Sequence, residues 1–235
     1  MTTEQTHKDA TRERVWQTLE ASGAAPAGSH GRIPDFVGSD RAADRLTTLT
    51  EWQQANTVKA NPDRAQQPVR AHALRDHKLV FMAVPKLADA KPFYRLDPRI
   101  LGEHRERAAD RRVAAELAPT VAVNELPSID FIICGSVAVN HAGIRIGKGA
   151  GYSDIEVALL AEAGLLKPKT TIVTTVHELQ ILDEELPRRA HDFTVDYIVT
   201  AKRVIECATR YRPHGIDWGS VTAELAETIP VLWRD

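Results

Sequence analysis

The chain has 235 residues, 43 % of them apolar, and a formal net charge of −2, which allows a substantial core and argues against nucleic acid or an anionic membrane as the main partner. Its two cysteines, Cys134 and Cys207, lie far apart and make no metal-ligand spacing, so a reduced, cytoplasmic setting is expected. The polar start "MTTEQTHKDATRERVW" has no apolar signal-peptide core, and no apolar run is long enough for a membrane span.

In chain order, "KDATRERVWQTLEAS" (8–22) predicts an amphipathic helix with Val15, Trp16 and Leu19 as its buried stripe. A Gly/Pro-rich connection follows. "DRAADRLTTLTEWQQA" then predicts a second helix, with Ala43, Leu46, Leu49 and Trp52 at helical spacing. The segment from about 8 to 55 is expected to pack on an α/β core within one domain spanning 1–235. Strands are predicted at "TVKAN", "KLVFMAV", "DFIICG", "TIVTTV" and "VDYIVT", whose β-branched, mostly apolar runs suit burial on both faces. Helices are predicted at 67–76, 104–117, 154–163 and 178–185. Strand alternating with helix implies an α/β fold with a mainly parallel sheet. Residues 86–128 are Pro-punctuated and read as an excursion from that sheet, and the tail is expected to add a short outer helix.

The densest signal is "GIRIGKGAGYSDIE" (143–156), where Gly143, Gly147, Gly149 and Gly151 are interleaved with Arg145 and Lys148. Glycine loops bring backbone N–H groups close to a ligand, and a following helix start favours anions. "SDIE" matches a capping box, with Ser153 as N-cap and Glu156 at N3. The pattern suits nucleoside-triphosphate phosphates with Mg²⁺, with Asp154 placed to meet the metal. Neither G-x-x-x-x-G-K-[ST] nor G-x-G-x-x-G is satisfied, so a surface loop ending in an ordinary helix start fits the pattern equally well.

Taken with its neighbours, the loop "GIRIGKGAGYSD" resembles the R-x-G-x-G-x-G-Y-Y-D signature of the 5-formyltetrahydrofolate cyclo-ligase family. "LPRRAHDFTVDYIVT" (186–200) resembles that family's L-P-x-x-x-H-D-x-x-V-D-x-I-V-T block, and Lys8 and Arg12 match its K-x-x-x-R start. The resemblance implies a three-layer α/β/α fold of the sugar-phosphate isomerase and CoA-transferase type. It implies ATP and Mg²⁺ as cofactors and a reduced folate as the small-molecule substrate, 5-formyltetrahydrofolate closing to 5,10-methenyltetrahydrofolate. It places Arg145 and Lys148 in the catalytic role, and Lys8, Arg12, Gly147, Gly149, Ala150, Gly151 and Tyr152 around the ATP phosphates. Asp154 and Asp192 fall on the metal side. Without the resemblance, Arg145 and Lys148 are solvated loop charges, Asp154 is a first-turn acid, Lys8 and Arg12 face water, and Asp192 belongs to a turn.

The chain also departs from the family pattern. Ser153 stands at the second tyrosine, Ala150 at a position often Gly or Lys, Ile155 at a frequent cation, and "NPDRAQQPVR" lacks the folate-site glutamate. These departures point to a branch, and "RIPDFVGSDRAADRL", "NPDRAQQPVRAHAL" and "MAVPKL" resemble a cyclo-ligase-like paralogue group, some of it associated with thiamin metabolism, whose ligand would be another heterocycle. A sensor without catalysis is the third reading. Arg32, Asn61, Asp63, Gln66, Gln67 and Arg70 are expected to form a more polar, carboxylate- or phosphate-tolerant pocket, with ordinary turn chemistry as the alternative. His177 and Gln180 follow a strand and are expected either to line the pocket or to hold local structure. No K/R-G-F-G-F-V-x-F strand occurs, so no nucleic-acid partner is expected.

Overall fold

The computed structural model describes residues 3–233. Its strands are β1 (Thr57–Ala60), β2 (Leu79–Ala83), β3 (Phe93–Leu96), β4 (Thr120–Val121), β5 (Ile129–Cys134), β6 (Ala138–Asn140), β7 (Arg145–Ile146), β8 (Leu166–Thr175), β9 (Ile181–Leu182), β10 (Tyr197–Val199) and β11 (Val204–Glu206). Eight of them form one sheet in the order β11-β10-β8-β5-β1-β2-β3-β4. The five central strands, β10 to β2, are parallel, and the edge pairings β10–β11, β2–β3 and β3–β4 are antiparallel. A smaller sheet, β7-β6-β9, stands beside it.

The helices are α1 (Thr3–Ala21), α2 (Ser39–Leu46), α3 (Thr50–Gln54), α4 (Gln67–Arg75), α5 (Pro98–Leu101), α6 (Arg111–Leu117), α7 (Tyr152–Glu162) and α8 (Ala223–Thr228). Strand side chains alternate between two apolar layers, as the pleat requires. Val58, Ala60, Val80, Met82, Phe131 and Ile133 pack with Leu46, Trp52 and Leu74 from α2, α3 and α4. Phe81, Ile132, Cys134, Ile172 and Ile198 pack with Val157 and Leu160 from α7 on the other face. The sheet is therefore covered on both sides, and the three-layer α/β/α expectation holds. A third cluster joins Val15, Trp16 and Leu19 of α1 to Ala138 and Ile146 of the small sheet. No described helix is long and apolar enough to cross a membrane.

Several local expectations need correction. The helix over 40–55 is two helices, because the hydroxyls of Thr47 and Thr48 bond back to Asp44 O and Arg45 O (2.7 Å each) and Leu49 turns extended. The helix over 104–117 is interrupted at Asp110, whose extended backbone and carboxylate cap α6 instead. Residues 178–185 form a single 3₁₀ turn and then β9, which pairs with β6. The excursion over 86–128 returns to the sheet twice, as β3 and β4. Helix α7 begins at Tyr152 after a left-handed Gly151, so Ser153 is not its N-cap and Glu156 is not part of a capping box.

Glu156 points inward to Lys59. In register, Lys59 sits between Phe81 of β2 and Ile132 of β5, on the face toward α7. Lys59 is wholly buried and Glu156 is 3 % exposed, and the two form an ion pair. Burial pushes the Glu156 carboxyl up, with the Lys59 charge opposing that shift. Helix α1 is held by a second buried pair, Lys8 Nζ to Asp192 Oδ2 at 2.5 Å.

Either single change, Lys59→Met or Glu156→Gln, strands or unbalances its partner and should cost about 3–5 kcal/mol, lowering Tm by about 6–20 °C. The double change Lys59→Met/Glu156→Leu should recover most of that loss, read as Tm by calorimetry; a double variant no better than the singles would refute the pairing. Burial disfavours the charged Asp192 carboxylate, but the Arg189 N–H and Lys8 outweigh it and hold its pKa below the usual carboxylate range. This contribution is complete above the unfolded carboxylate value and is lost as pH falls through the lowered folded value. Asp192→Asn should therefore lose about 2 kcal/mol at pH 7 and show a flatter loss of stability below pH ~4 in denaturant titrations.

Candidate phosphate and substrate cleft

The glycine loop runs from β7 to α7 and forms one wall of a cleft of about 450 Å³. The cleft is bordered by Arg145, Gly147, Lys148, Ala150, Gly151 and Tyr152 of the loop and by Ser153, Asp154 and Glu156 of α7. Asn61, Pro62 and Asp63, just past β1, form the opposite wall. The cleft thus lies at the carboxyl end of a central parallel strand, where open α/β sheets place their ligands. Positive φ at Gly149 (109°) and Gly151 (71°) lets this backbone turn toward the cleft. A Cβ at Gly149 would lie 3.7 Å from the Arg12 guanidinium.

Of the sequence-expected residues, Arg145, Gly147, Lys148, Ala150, Gly151, Tyr152 and Asp154 border the cleft, whereas Lys8, Arg12, Gly149 and Asp192 do not. Arg12 of α1 donates from Nε to Gly147 O (2.7 Å) and from Nη1 to Asp9 (2.5 Å). Arg12 and Lys8 are 7 % and 6 % exposed, so neither simply faces water. Arg145 donates to Asp154 Oδ1 (2.5 Å) and stacks over the Phe193 ring at 4.1 Å. Its Nε is buried without a partner. Burial disfavours its charge, but Asp154, Cys134 and Asp192 outweigh that and raise its pKa, so the guanidinium stays charged. Lys148 reaches across to Asp63 (3.0 Å) and remains 37 % exposed. Tyr152 is half-buried, packed on the α7-side core while bordering the cleft.

The two acids differ in their surroundings. Asp154 stays partly accessible beside Arg145, whereas Asp192 is enclosed and also accepts the Arg189 N–H at 2.8 Å. Among the described residues no three His, Cys, Asp or Glu side chains cluster as a metal cage. Mg²⁺ characteristically takes one or two carboxylates and completes its shell with phosphate oxygens and water. A single accessible Asp154 next to a phosphate-type loop suits that chemistry.

The polar set after β1 divides. Asn61 bridges the walls, its Nδ2 donating to Ser153 Oγ (3.2 Å) while its Oδ1 accepts from Lys59 (2.8 Å). Arg70 is 1 % exposed and donates to the carbonyls of Asn61, Asp63 and Ala109 at 2.5, 3.0 and 2.9 Å, fixing this turn. Gln66 is wholly buried under the turn. Arg32, Asp63, Gln67 and Arg70 border an adjoining hollow. His177 and Gln180 border neither space. His177 Nδ1 accepts from Leu179 N (3.2 Å), and Gln180 Nε2 donates to Ser136 O and Val137 O (2.8 and 3.1 Å).

Pattern reading did not single out Lys59 and took Glu156 only as a capping-box residue. The usable signal was a charge on an apolar face: Glu156 lies one turn before Leu160 on the buried stripe of α7, and Lys59 stands between buried Val58 and Ala60.

The sequence profile of the 5-formyltetrahydrofolate cyclo-ligase family matches residues 4–201. The methenyltetrahydrofolate synthase domain-containing protein of Mus musculus is 36 % identical over 98 % of this chain and 63 % of its own length. Its Homo sapiens counterpart is 34 % identical over 96 % and 60 %. The chain thus spans less than two thirds of the length of these relatives. The solved Aquifex aeolicus 5,10-methenyltetrahydrofolate synthetase shares the fold, with TM-score 0.54, 21 % identity, and 88 % of this chain and 96 % of that one covered. The match over most of the chain establishes that it belongs to the 5-formyltetrahydrofolate cyclo-ligase family.

Proposed function

We propose that the chain is an ATP- and Mg²⁺-dependent enzyme of the cyclo-ligase type, closing 5-formyltetrahydrofolate to 5,10-methenyltetrahydrofolate. The observation that carries this reading is the Arg12 guanidinium of α1 bonded to the Gly147 carbonyl, 135 residues later, in the loop that also holds Arg145 and Lys148 at the cleft. ATP supplies the phosphoryl group that activates the formyl oxygen. Gly147 to Gly151 form the cradle for phosphates, with Lys148 as the mobile cation and Arg145 as the fixed one. Arg145 is preorganised by Asp154 and Phe193, so it need not reorient as charge develops. Arg12 holds the loop carbonyl at Gly147, and Lys8 of the same helix is paired with Asp192. Asp154 is the metal-side carboxylate within the cleft, and Asp192 steadies the charge of Lys8 and Arg145 behind it. The reaction asks for positioning and charge neutralisation more than for a protein nucleophile.

One observation favours a second reading, a paralogue that uses the same loop on a different heterocycle. The wall opposite the loop is formed by Asn61 bonded to Ser153 over the Lys59–Glu156 pair, where the family pattern has a tyrosine and a separate glutamate. That wall is polar and already satisfied internally.

Purified protein would be mixed with 5-formyltetrahydrofolate, Mg²⁺ and ATP while methenyltetrahydrofolate absorbance is followed. An ATP-dependent signal is expected, reduced roughly 100-fold by Lys148→Ala or Asp154→Ala. Gly149→Ala should weaken nucleotide binding, because φ of 109° strains any residue with a Cβ. A folded protein that binds ATP yet gives no absorbance change would sink the folate reading in favour of the second one.

A further inference from the structure

Beyond the Asn61–Asp63 turn, the cleft opens into a second hollow of about 830 Å³. Six cations border it, Arg32, Arg64, Arg70, Arg111, Arg112 and Lys148, against three acids, Asp35, Asp63 and Asp110. In a chain of net charge −2 this excess is local. The acids are already engaged. Asp35 pairs with Arg64 (2.9 Å) and Asp63 with Lys148 (3.0 Å). Asp110 accepts the N–H groups of Arg112 and Val113 (2.8 and 3.3 Å). Arg70 is held by three backbone carbonyls. Arg32, Arg111 and Arg112 form no close ion pair with a carboxylate among the described residues, although the Arg112 charge also acts on Asp110.

These charges also act on one another. Burial lowers the Arg70 pKa to about 10; Asp63 and Asp110 oppose that, and the Arg111 charge pushes it down further. Like charges gathered on a concave wall focus a positive potential that an anion relieves. One carboxylate is satisfied by one guanidinium fork, so three guanidinium groups without a close ion pair exceed its need. A phosphate carries more charge and offers several oxygens to such forks.

We propose that this hollow is an anion subsite for the phosphate group of a phosphorylated small molecule, with Arg32, Arg111 and Arg112 as its ligands. Arg111 and Lys148 border both this hollow and the glycine-loop cleft, so one ligand can lie across the two. The excess charge is present whether or not a nucleotide fills the loop, so the inference does not depend on the folate reading.

The test is calorimetric titration of the full chain with pyrophosphate, in the presence of saturating Mg²⁺ and a non-hydrolysable ATP analogue that occupies the loop. Citrate serves as the carboxylate comparison. Pyrophosphate should bind the loaded protein and weaken as salt rises. Arg32→Ala and Arg112→Ala, on separate exposed segments that border only the second hollow, should each weaken it roughly tenfold. Thermal melts matching the parent would show that both variants fold. Pyrophosphate affinity unchanged in both variants would overturn the proposal, as would citrate binding equally tightly and being lost with the same variants. If the analogue does not bind, the nucleotide reading fails, and the same titration of the unloaded chain and variants decides the subsite separately.

Discussion

A charge pair in the middle of a sheet sets the position of everything at the cleft. Lys59 occupies an inward position of the central strand β1, with Phe81 and Ile132 on either side. An unpaired ammonium there would be prohibitive, so a partner must come from the covering helix. Glu156 of α7 is that partner, and Asn61 accepts a second Lys59 proton. Such a pair contributes little net stability compared with apolar residues, but it tolerates almost no change in register. Fixing α7 over β1 fixes Gly151, Ser153 and Asp154, and with them the end of the glycine loop. The wall and floor of the cleft are thus set by a buried ion pair whose glutamate itself borders the cleft.

Around that anchor, the charged side chains serve structure and chemistry together. Arg145 is clamped between Asp154 and the Phe193 ring, and Arg12 is clamped on the Gly147 carbonyl. Both are buried cations whose geometry is settled before a ligand arrives, the condition under which electrostatic stabilisation is strongest. Lys148 is different, half-exposed and tied only to Asp63. It is the cation free to exchange a carboxylate for a phosphate. The small sheet matters for the same reason: β7 is only two residues long, yet it locks Arg145 beside Phe193.

Much of this was legible in the chain. Runs such as "DFIICG" and "TIVTTV" marked the buried strands because both faces of each strand are apolar. The glycine loop, Lys8, Arg12 and the 186–200 block pointed to one cleft through family resemblance. What stayed hidden depended on distant partners. "SDIE" satisfies a capping box locally, but the Lys59 ammonium, 97 residues earlier, draws Glu156 inward, and Gly151 starts the helix sooner. Residues 178–185 alternate acids and leucines at helical spacing, yet the free edge of β6 recruits Ile181 and Leu182 into a strand. The arginine hollow was legible in part, through Arg32, Asp63, Gln67 and Arg70; Arg64, Arg111 and Arg112 join it only through the fold.

The attachment of α1 also sets a timetable for synthesis. Lys8 bonds to a residue 184 positions later, and Arg12 to one 135 positions later. At a ribosomal pace of about 5–20 residues per second, the first helix emerges roughly 10–40 s before its buried partner Asp192 exists. For most of that interval its apolar stripe of Val15, Trp16 and Leu19 has neither β6 nor β7 to rest on. Helix α1 is therefore made well before the segments that seat it, and its buried ion pair closes only once Asp192 has been added.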